Sequence, residues 1–133
     1  IGVRVLKVLR VEDSQMWQRY TTALAQISVR RNRCEPLAGH AANTNAILKP
    51  HESARLVESV NETLLWHGSS PHAVMSIMQH GFNLDLSGSA TGAMFGRGAY
   101  FAESSSKADE YSRDDHHGYY QGCFAMLLCR VAM

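Results

Sequence analysis

Leu64-Leu65-Trp66-His67-Gly68-Ser69-Ser70-Pro71 is the stretch on which the fold turns. Thr63 to Trp66 reads as a short apolar strand. It runs into His67-Gly68-Ser69-Ser70, and Pro71 then suits the first position of a helix with Ser70 as its cap. Val74, Ile77 and Met78 recur on the inward face of that helix, and Gly81 stops it. A strand that ends in His and Gly places chemistry at its tip. The imidazole can donate to or accept from a ribose hydroxyl. The glycine leaves a backbone N–H and C=O unshielded, and together they match a primary carboxamide. Taken alone, the dipeptide is common and reads better as a strand end with a turn glycine and an incidental histidine.

Downstream, half of the ten glycines fall between residues 81 and 98. That density marks a loop whose backbone bends sharply or approaches something closely. Ala99 to Ala102 reads as a short strand presenting Tyr100. Ser104 or Ser105 caps a helix through about Tyr111, so a second tyrosine follows the first by about three helical turns. Two aromatic faces of this kind suit a flat ring between them, although both tyrosines read equally well as core. Residues 112–122 are polar, carry Gly118 and Gly122, and read as an exposed loop. Cys123 to Met133 is a nearly continuous apolar strand interrupted only by Arg130; a strand apolar on both faces belongs in a sheet interior.

Upstream, Val3 to Val11 alternates Val and Leu with charges and reads as a strand. Glu12-Asp13-Ser14 supplies acidic and capping residues for a helix on which Trp17, Tyr20, Leu24 and Ile27 share one face. Arg30, Arg31 and Arg33 close it as helix-end charge. Pro36, Gly39, Pro50 and the Asn43/Asn45 pair make residues 34–50 a long loop with a turn of helix, and residues 52–60 read as a short helix.

The chain has 133 residues, 45% of them apolar, which fits one globular domain over residues 1–133. Thirteen basic side chains balance twelve acidic ones, unlike the basic surplus of a dedicated nucleic-acid-binding domain. The longest apolar run, Cys123 to Cys129, falls far short of the ~20 residues of a membrane span. No leader follows Ile1, and the chain reads as starting inside a longer protein. Cys34, Cys123 and Cys129 are odd in number and hold no CxxC, as expected of free thiols in a reducing compartment. His116 and His117 near Cys123 raise a metal site. A structural zinc wants four ligands, and with one cysteine at hand no metal is expected.

In their order and spacing, three motifs resemble the catalytic domain of the poly(ADP-ribose) polymerase family, the diphtheria-toxin-like ADP-ribosyltransferases. They are Trp66-His67-Gly68-Ser69, the run from Gly92 through Met94-Phe95-Gly96-Arg97-Gly98 to Tyr100-Phe101-Ala102, and Ser105-Ser106-Lys107 followed by Tyr111. Val8-Leu9-Arg10-Val11, Met16-Trp17-Gln18-Arg19-Tyr20 and Cys129-Arg130-Val131 extend the resemblance over nearly the whole chain. It is nearest to tankyrases and the mono-ADP-ribosylating members.

The resemblance implies an α+β fold of two packed, mainly antiparallel sheets with flanking helices around an NAD cleft, with C-terminal strands missing from this chain. It implies transfer of ADP-ribose from NAD to protein side chains, with nicotinamide released and no metal involved. His67 would bond the adenine-side ribose, Gly68 the nicotinamide carboxamide, and Ser69 the adenosine half. Tyr100 and Tyr111 would flank the nicotinamide ring; Phe101, Ala102, Lys107 and Ala108 would line the same site. Residues 83–93 would form a loop over NAD, with Phe82 in the core. His67 and Tyr100 are the implied catalytic pair, and the partnering glutamate falls beyond Met133, since Glu103 and Glu110 stand in the wrong place. Ala108 departs from the family's serine at that position, which removes one hydroxyl donor. The alternative is a catalytically silent NAD- or protein-binding module of the same fold. The implied partners are NAD and protein acceptors, without nucleic acid or membrane, in the nucleus or cytoplasm.

Overall fold

The computed structural model describes residues 3–31, 42–46, 48–53, 55–86 and 96–133. Arg33, Cys34, Pro36, Gly39 and most of the 83–93 loop lie outside the described residues, as do Gly92, Met94 and Phe95.

The first helix, α1, spans Ser14–Arg30. Asp13 caps it in an extended conformation, its carboxylate accepting from the Met16 amide at 2.7 Å. On the expected inward face Leu24 is buried, Tyr20 and Ile27 are half-buried, and Trp17 is 49% exposed. The Trp17 ring is not core but a platform, with the Arg130 guanidinium 5.1 Å from its centroid.

The strand expected over Val3–Val11 does not form. Residues 3–13 carry no regular structure, and Val3 and Val8 are 92% and 84% exposed. Alternating Val and Leu supply strand propensity, but a strand is stabilised by cross-strand partners. None of the described residues pairs with this segment.

Two single-turn helices follow, α2 (Asn43–Ala46) and α3 (Pro50–Ser53). The helix expected over 52–60 is broken. α3 ends at Ser53, Glu58–Val60 forms a 3-10 turn, and Asn61 takes a left-handed φ of 46°. The cause is Glu62. Its carboxylate accepts from the Val57 amide at 2.7 Å, and its own amide donates to the Val57 carbonyl at 3.1 Å. That closed loop cannot be continued as a helix.

β1 (Thr63–Ser69) is longer than expected and carries His67, Gly68 and Ser69 within the strand. It pairs antiparallel with β2 (Ala125–Val131), Thr63 opposite Val131 and Gly68 opposite Met126. This two-stranded sheet is the only one among the described residues. β2 was expected to be a sheet-interior strand, yet among the described residues it is paired along one edge and Leu128 is 48% exposed. Between the strands in sequence lie α4 (Pro71–His80) and α5 (Ser105–Asp109). α4 follows the sequence closely: Ser70 Oγ accepts from Ala73 N, Pro71 opens the first turn, and Gly81 ends it at φ 83°. α5 is capped by Ser104 and stops two residues before Tyr111.

The strand expected at Ala99–Ala102 shrinks to one bridge, Ala102 to Trp66. Tyr100 explains the difference. Its hydroxyl donates to the Gly96 carbonyl at 2.6 Å and its own carbonyl is claimed by His67, so the chain curls instead of running alongside β1.

The core gathers Leu24, Ala42, Val60, Leu65, Val74 and Ala108. Below it, at the start of β1, Glu62 has a fully buried side chain. It accepts from the Tyr20 hydroxyl at 2.6 Å and from Arg130 Nε and Nη2 at 2.8 and 2.7 Å. Burial alone would push this carboxyl up, but the Arg130, Tyr20 and Val57 hydrogen bonds more than offset it and hold it below the usual carboxylate range. Burial, and then the bond to Glu62, push the Tyr20 phenol up. One carboxylate thus fastens α1, the 57–62 turn and both strands.

Candidate active site

The outer edge of β1 locates the site. The Trp66 amide and carbonyl both pair with Ala102 at 2.8 Å. In an antiparallel strand backbone groups alternate between edges, so Leu64, Trp66 and Gly68 face this edge and β2 occupies the other. The Leu64 carbonyl accepts from the Thr44 hydroxyl of α2. Trp66 is taken by Ala102. At Gly68 the N–H and C=O receive no partner from the described residues. The edge is thus closed at two positions and open at the third.

Gly68 is fixed as glycine by its neighbour. A Cβ there would stand 1.9 Å from the Ala108 carbonyl oxygen and 2.9 Å from Ser112 Oγ. The C-terminal end of α5 lies flat on the strand at this point, and Ala108 is 2% exposed. Backbone against backbone leaves no side chain room on that face.

His67 and Ser69 point to the opposite face. The His67 Nδ1–H donates to the Tyr100 carbonyl at 2.8 Å; a carbonyl has no proton to give, so the tautomer is fixed by its partner. Nε2 is left with a lone pair and can accept from a hydroxyl. The imidazole meets Phe82 edge-on at 5.0 Å and Phe101 at 5.6 Å, and the two phenyl rings meet at 5.3 Å. His67, Tyr100 and Phe101 therefore come together as one cluster, joined by Phe82, which is 38% exposed and forms the cluster's wall.

Tyr111 follows α5 in a turn closed by its amide on the Ala108 carbonyl at 3.0 Å. It is 44% exposed, with the Lys107 ammonium 5.7 Å from its ring centroid. Lys107 is itself paired with Glu110 at 2.5 Å. A surface depression among the described residues lies elsewhere, along the outer side of α1 between Gln15, Gln18, Arg19, Thr22, Ala23 and Gln26. It is a furrow between the side chains of an uncovered helix and holds no carboxylate, imidazole or thiol.

The Poly(ADP-ribose) polymerase catalytic domain model matches residues 1–133. The chain belongs to this family. Protein mono-ADP-ribosyltransferase PARP11 of Mus musculus is 26% identical over 116 residues, 86% of this chain and 28% of that protein. Poly [ADP-ribose] polymerase of Sarcophaga peregrina is 39% identical over 74 residues, 55% of this chain and 7% of that protein. Poly [ADP-ribose] polymerase 2 of Homo sapiens is 44% identical over 52 residues, 38% of this chain and 9% of that protein. The chain thus spans less than a third of the curated relatives it matches.

Within this poly(ADP-ribose) polymerase catalytic domain, the motif residues fall into three groups. His67, Tyr100 and Phe101 share one cluster. Gly68 and Ala108 touch back to back. Lys107 and Tyr111 stand together at the solvent side. Ser69 ends β1, its carbonyl 3.5 Å from the Arg113 amide. Glu103 is exposed at the turn before α5. Among the described residues no three of His, Cys, Asp and Glu gather to hold a metal ion; His116 reaches only Asp114, at 3.4 Å. No helix of the described residues is long and apolar enough to cross a membrane. The sequence reading missed Glu62 and Ser112. Glu62 carries no local signal, since its partners Tyr20 and Arg130 are 42 and 68 residues away. Ser112 looked like the first residue of a polar loop.

Proposed function

We propose that this chain forms the NAD-binding part of an ADP-ribosyltransferase, which moves ADP-ribose from NAD to a protein side chain and releases nicotinamide. The observation that carries the reading is the open backbone pair of Gly68. A primary carboxamide offers an acceptor oxygen and a donor nitrogen on one carbon, the complement of a strand's N–H and C=O. Nicotinamide carries that group on a flat ring. Tyr111, exposed beside this edge, and Tyr100 supply the aromatic faces. His67 Nε2 accepts from a ribose hydroxyl, with its ring oriented by Tyr100 and walled by Phe82 and Phe101. Ser69, Ala102 and Lys107 line the remainder. The chemistry is scission of a glycosidic bond with positive charge developing on the ribose. Holding nicotinamide at a fixed strand edge sets the leaving geometry.

A carboxylate at the ribose is also needed to stabilise that charge. Glu62 is sealed by Arg130 and Glu110 is engaged by Lys107, so we assign the role to neither. The exposed Leu128 of β2 and the exposed valines and leucines of residues 3–11 support a second sheet packed on this one. The near-even charge supports a protein rather than a nucleic-acid partner, and free Cys123 and Cys129 support an intracellular location. Ala108, where the family carries serine, favours a second reading in which the domain binds NAD without turning it over.

A structure of the protein with benzamide tests the site. The carboxamide is expected on Gly68, with the ring beside Tyr100 and Tyr111. A ring centroid more than ~7 Å from both tyrosines, the outer limit for aromatic pairs, overturns it. Automodification with labelled NAD separates the two readings: incorporation supports transfer, and binding without incorporation supports the silent module.

A further inference from the structure

Ser112 is half-buried, and it spans the two strands at the open end of the sheet. Its hydroxyl donates to the Ala125 carbonyl at the start of β2, at 3.2 Å. The same oxygen lies 2.9 Å from where a Cβ on Gly68 would stand, so it sits on the sheet face directly over that glycine. Its amide donates back to Asp109 at 2.9 Å, and the next amide, Arg113, approaches the Ser69 carbonyl at the end of β1 at 3.5 Å. The residue before it is Tyr111, whose amide closes on Ala108, the residue packed against Gly68.

From this stitching we infer that Ser112 is a positioning residue for Tyr111. The inference rests on the proposed role of Gly68 and Tyr111 in holding a carboxamide-bearing ring. Tyr111 belongs to no helix or strand; α5 ends at Asp109. A solvent-exposed aromatic ring on a turn loses affinity for a ligand to the entropy of ordering it. The Ser112 hydroxyl removes part of that cost by tying the turn to β2, while Ala108 ties it to β1. The turn that bears the ring is thereby held beside Gly68, whose backbone pair receives no partner from the described residues. The Ser112 proton is spent on Ala125, and Ala125 lies on the β2 side of β1, away from the open edge. Ser112 therefore acts through Tyr111 and not by donating to the ligand.

The test is a double-mutant cycle read by calorimetric titration of benzamide into the full protein, with thermal unfolding of each variant followed alongside. Ser112→Ala is expected to weaken benzamide about three- to tenfold, the scale of one neutral hydrogen bond. Tyr111→Ala is expected to weaken it more. In the Tyr111→Ala background, Ser112→Ala is expected to cost nothing further, because the ring it positions is gone. Equal losses from Ser112→Ala in both backgrounds would show that it contacts the ligand or merely supports the fold, and would overturn the inference. So would a neutral Ser112→Ala beside a costly Tyr111→Ala. A neutral Tyr111→Ala would instead overturn the carboxamide-site reading itself. Should Ser112→Ala fail to fold, Ser112→Cys keeps the size with a weaker donor; an intermediate loss confined to the Tyr111 background supports the inference, and a loss in both overturns it.

Discussion

The two ends of β1 are built on opposite principles. At its start, Glu62 is fully buried and every oxygen is matched, by Arg130, Tyr20 and Val57. Six residues on, the Gly68 backbone pair is left open, among the described residues, beside a histidine whose outer nitrogen is free to accept. One strand therefore carries a closed polar lock and an open polar edge. A satisfied buried network rigidifies and specifies a structure. An unsatisfied backbone pair in a strand costs free energy until something binds it.

Removing the lock should produce the largest effect. Glu62→Gln keeps the volume but turns an amide NH2 toward the Arg130 donors. Breaking one partner out of a buried ion pair costs about 3–5 kcal/mol, to be read by denaturant or thermal unfolding. The pH profile should carry the same signature. The Glu62 carboxyl lies below its usual range in the folded state, so its contribution is fully present above the unfolded value near ~4.3 and is lost as pH falls through the folded value. The Tyr20 phenol is raised, so its contribution is present below ~10 and is lost as pH climbs beyond that. A Glu62→Gln protein whose stability and acid dependence match the parent would break the contrast between the two ends.

At the open end the expected loss is in binding more than in folding. Gly68→Ala places a methyl 1.9 Å from the Ala108 carbonyl oxygen. Overpacking of this kind typically costs about 1–3 kcal/mol of stability. Relief requires α5 or β1 to move, and either shift displaces the free N–H and C=O. Benzamide affinity should therefore fall at least ~10-fold, about 1.4 kcal/mol. Unchanged affinity measured by titration would mean that the carboxamide sits elsewhere.

Much of the open end was legible in the sequence and almost none of the lock was. His67, Gly68 and Ser69 are contiguous, Ser70-Pro71 marks a helix start by local rules, and Gly81 marks its stop. Such signals act within a few residues. Glu62 is held by partners 42 and 68 residues away, so no window of sequence reveals it. The same limitation explains Val3–Val11, where alternation forecast a strand but no described segment pairs with it. It explains Ala99–Ala102 too, where the hydroxyl and carbonyl of Tyr100 redirect the chain. Tertiary hydrogen bonds outrank local propensity in each case.

The smallest expected effect asks whether the open edge is complete as it stands. Ala108 is buried against Gly68, and its amide bonds the Ser104 carbonyl at 3.2 Å. Ala108→Ser would add a hydroxyl one bond away from that contact. In a short helix such a hydroxyl has two choices. It can bond back to the carbonyl four residues earlier, Ser104, as serines in helices do, in which case the ligand gains nothing. Or it can face the Gly68 edge, where a carboxamide oxygen would accept it and gain roughly 1 kcal/mol, about fivefold in affinity. The second outcome is expected, because the Ser104 carbonyl already accepts from the residue's own amide. Calorimetry with benzamide on both forms decides it. A fivefold tighter complex would show that the edge lacks a donor the backbone cannot supply. Equal or weaker affinity would show that the Gly68 backbone already satisfies the carboxamide, and that the alanine is no defect in the site.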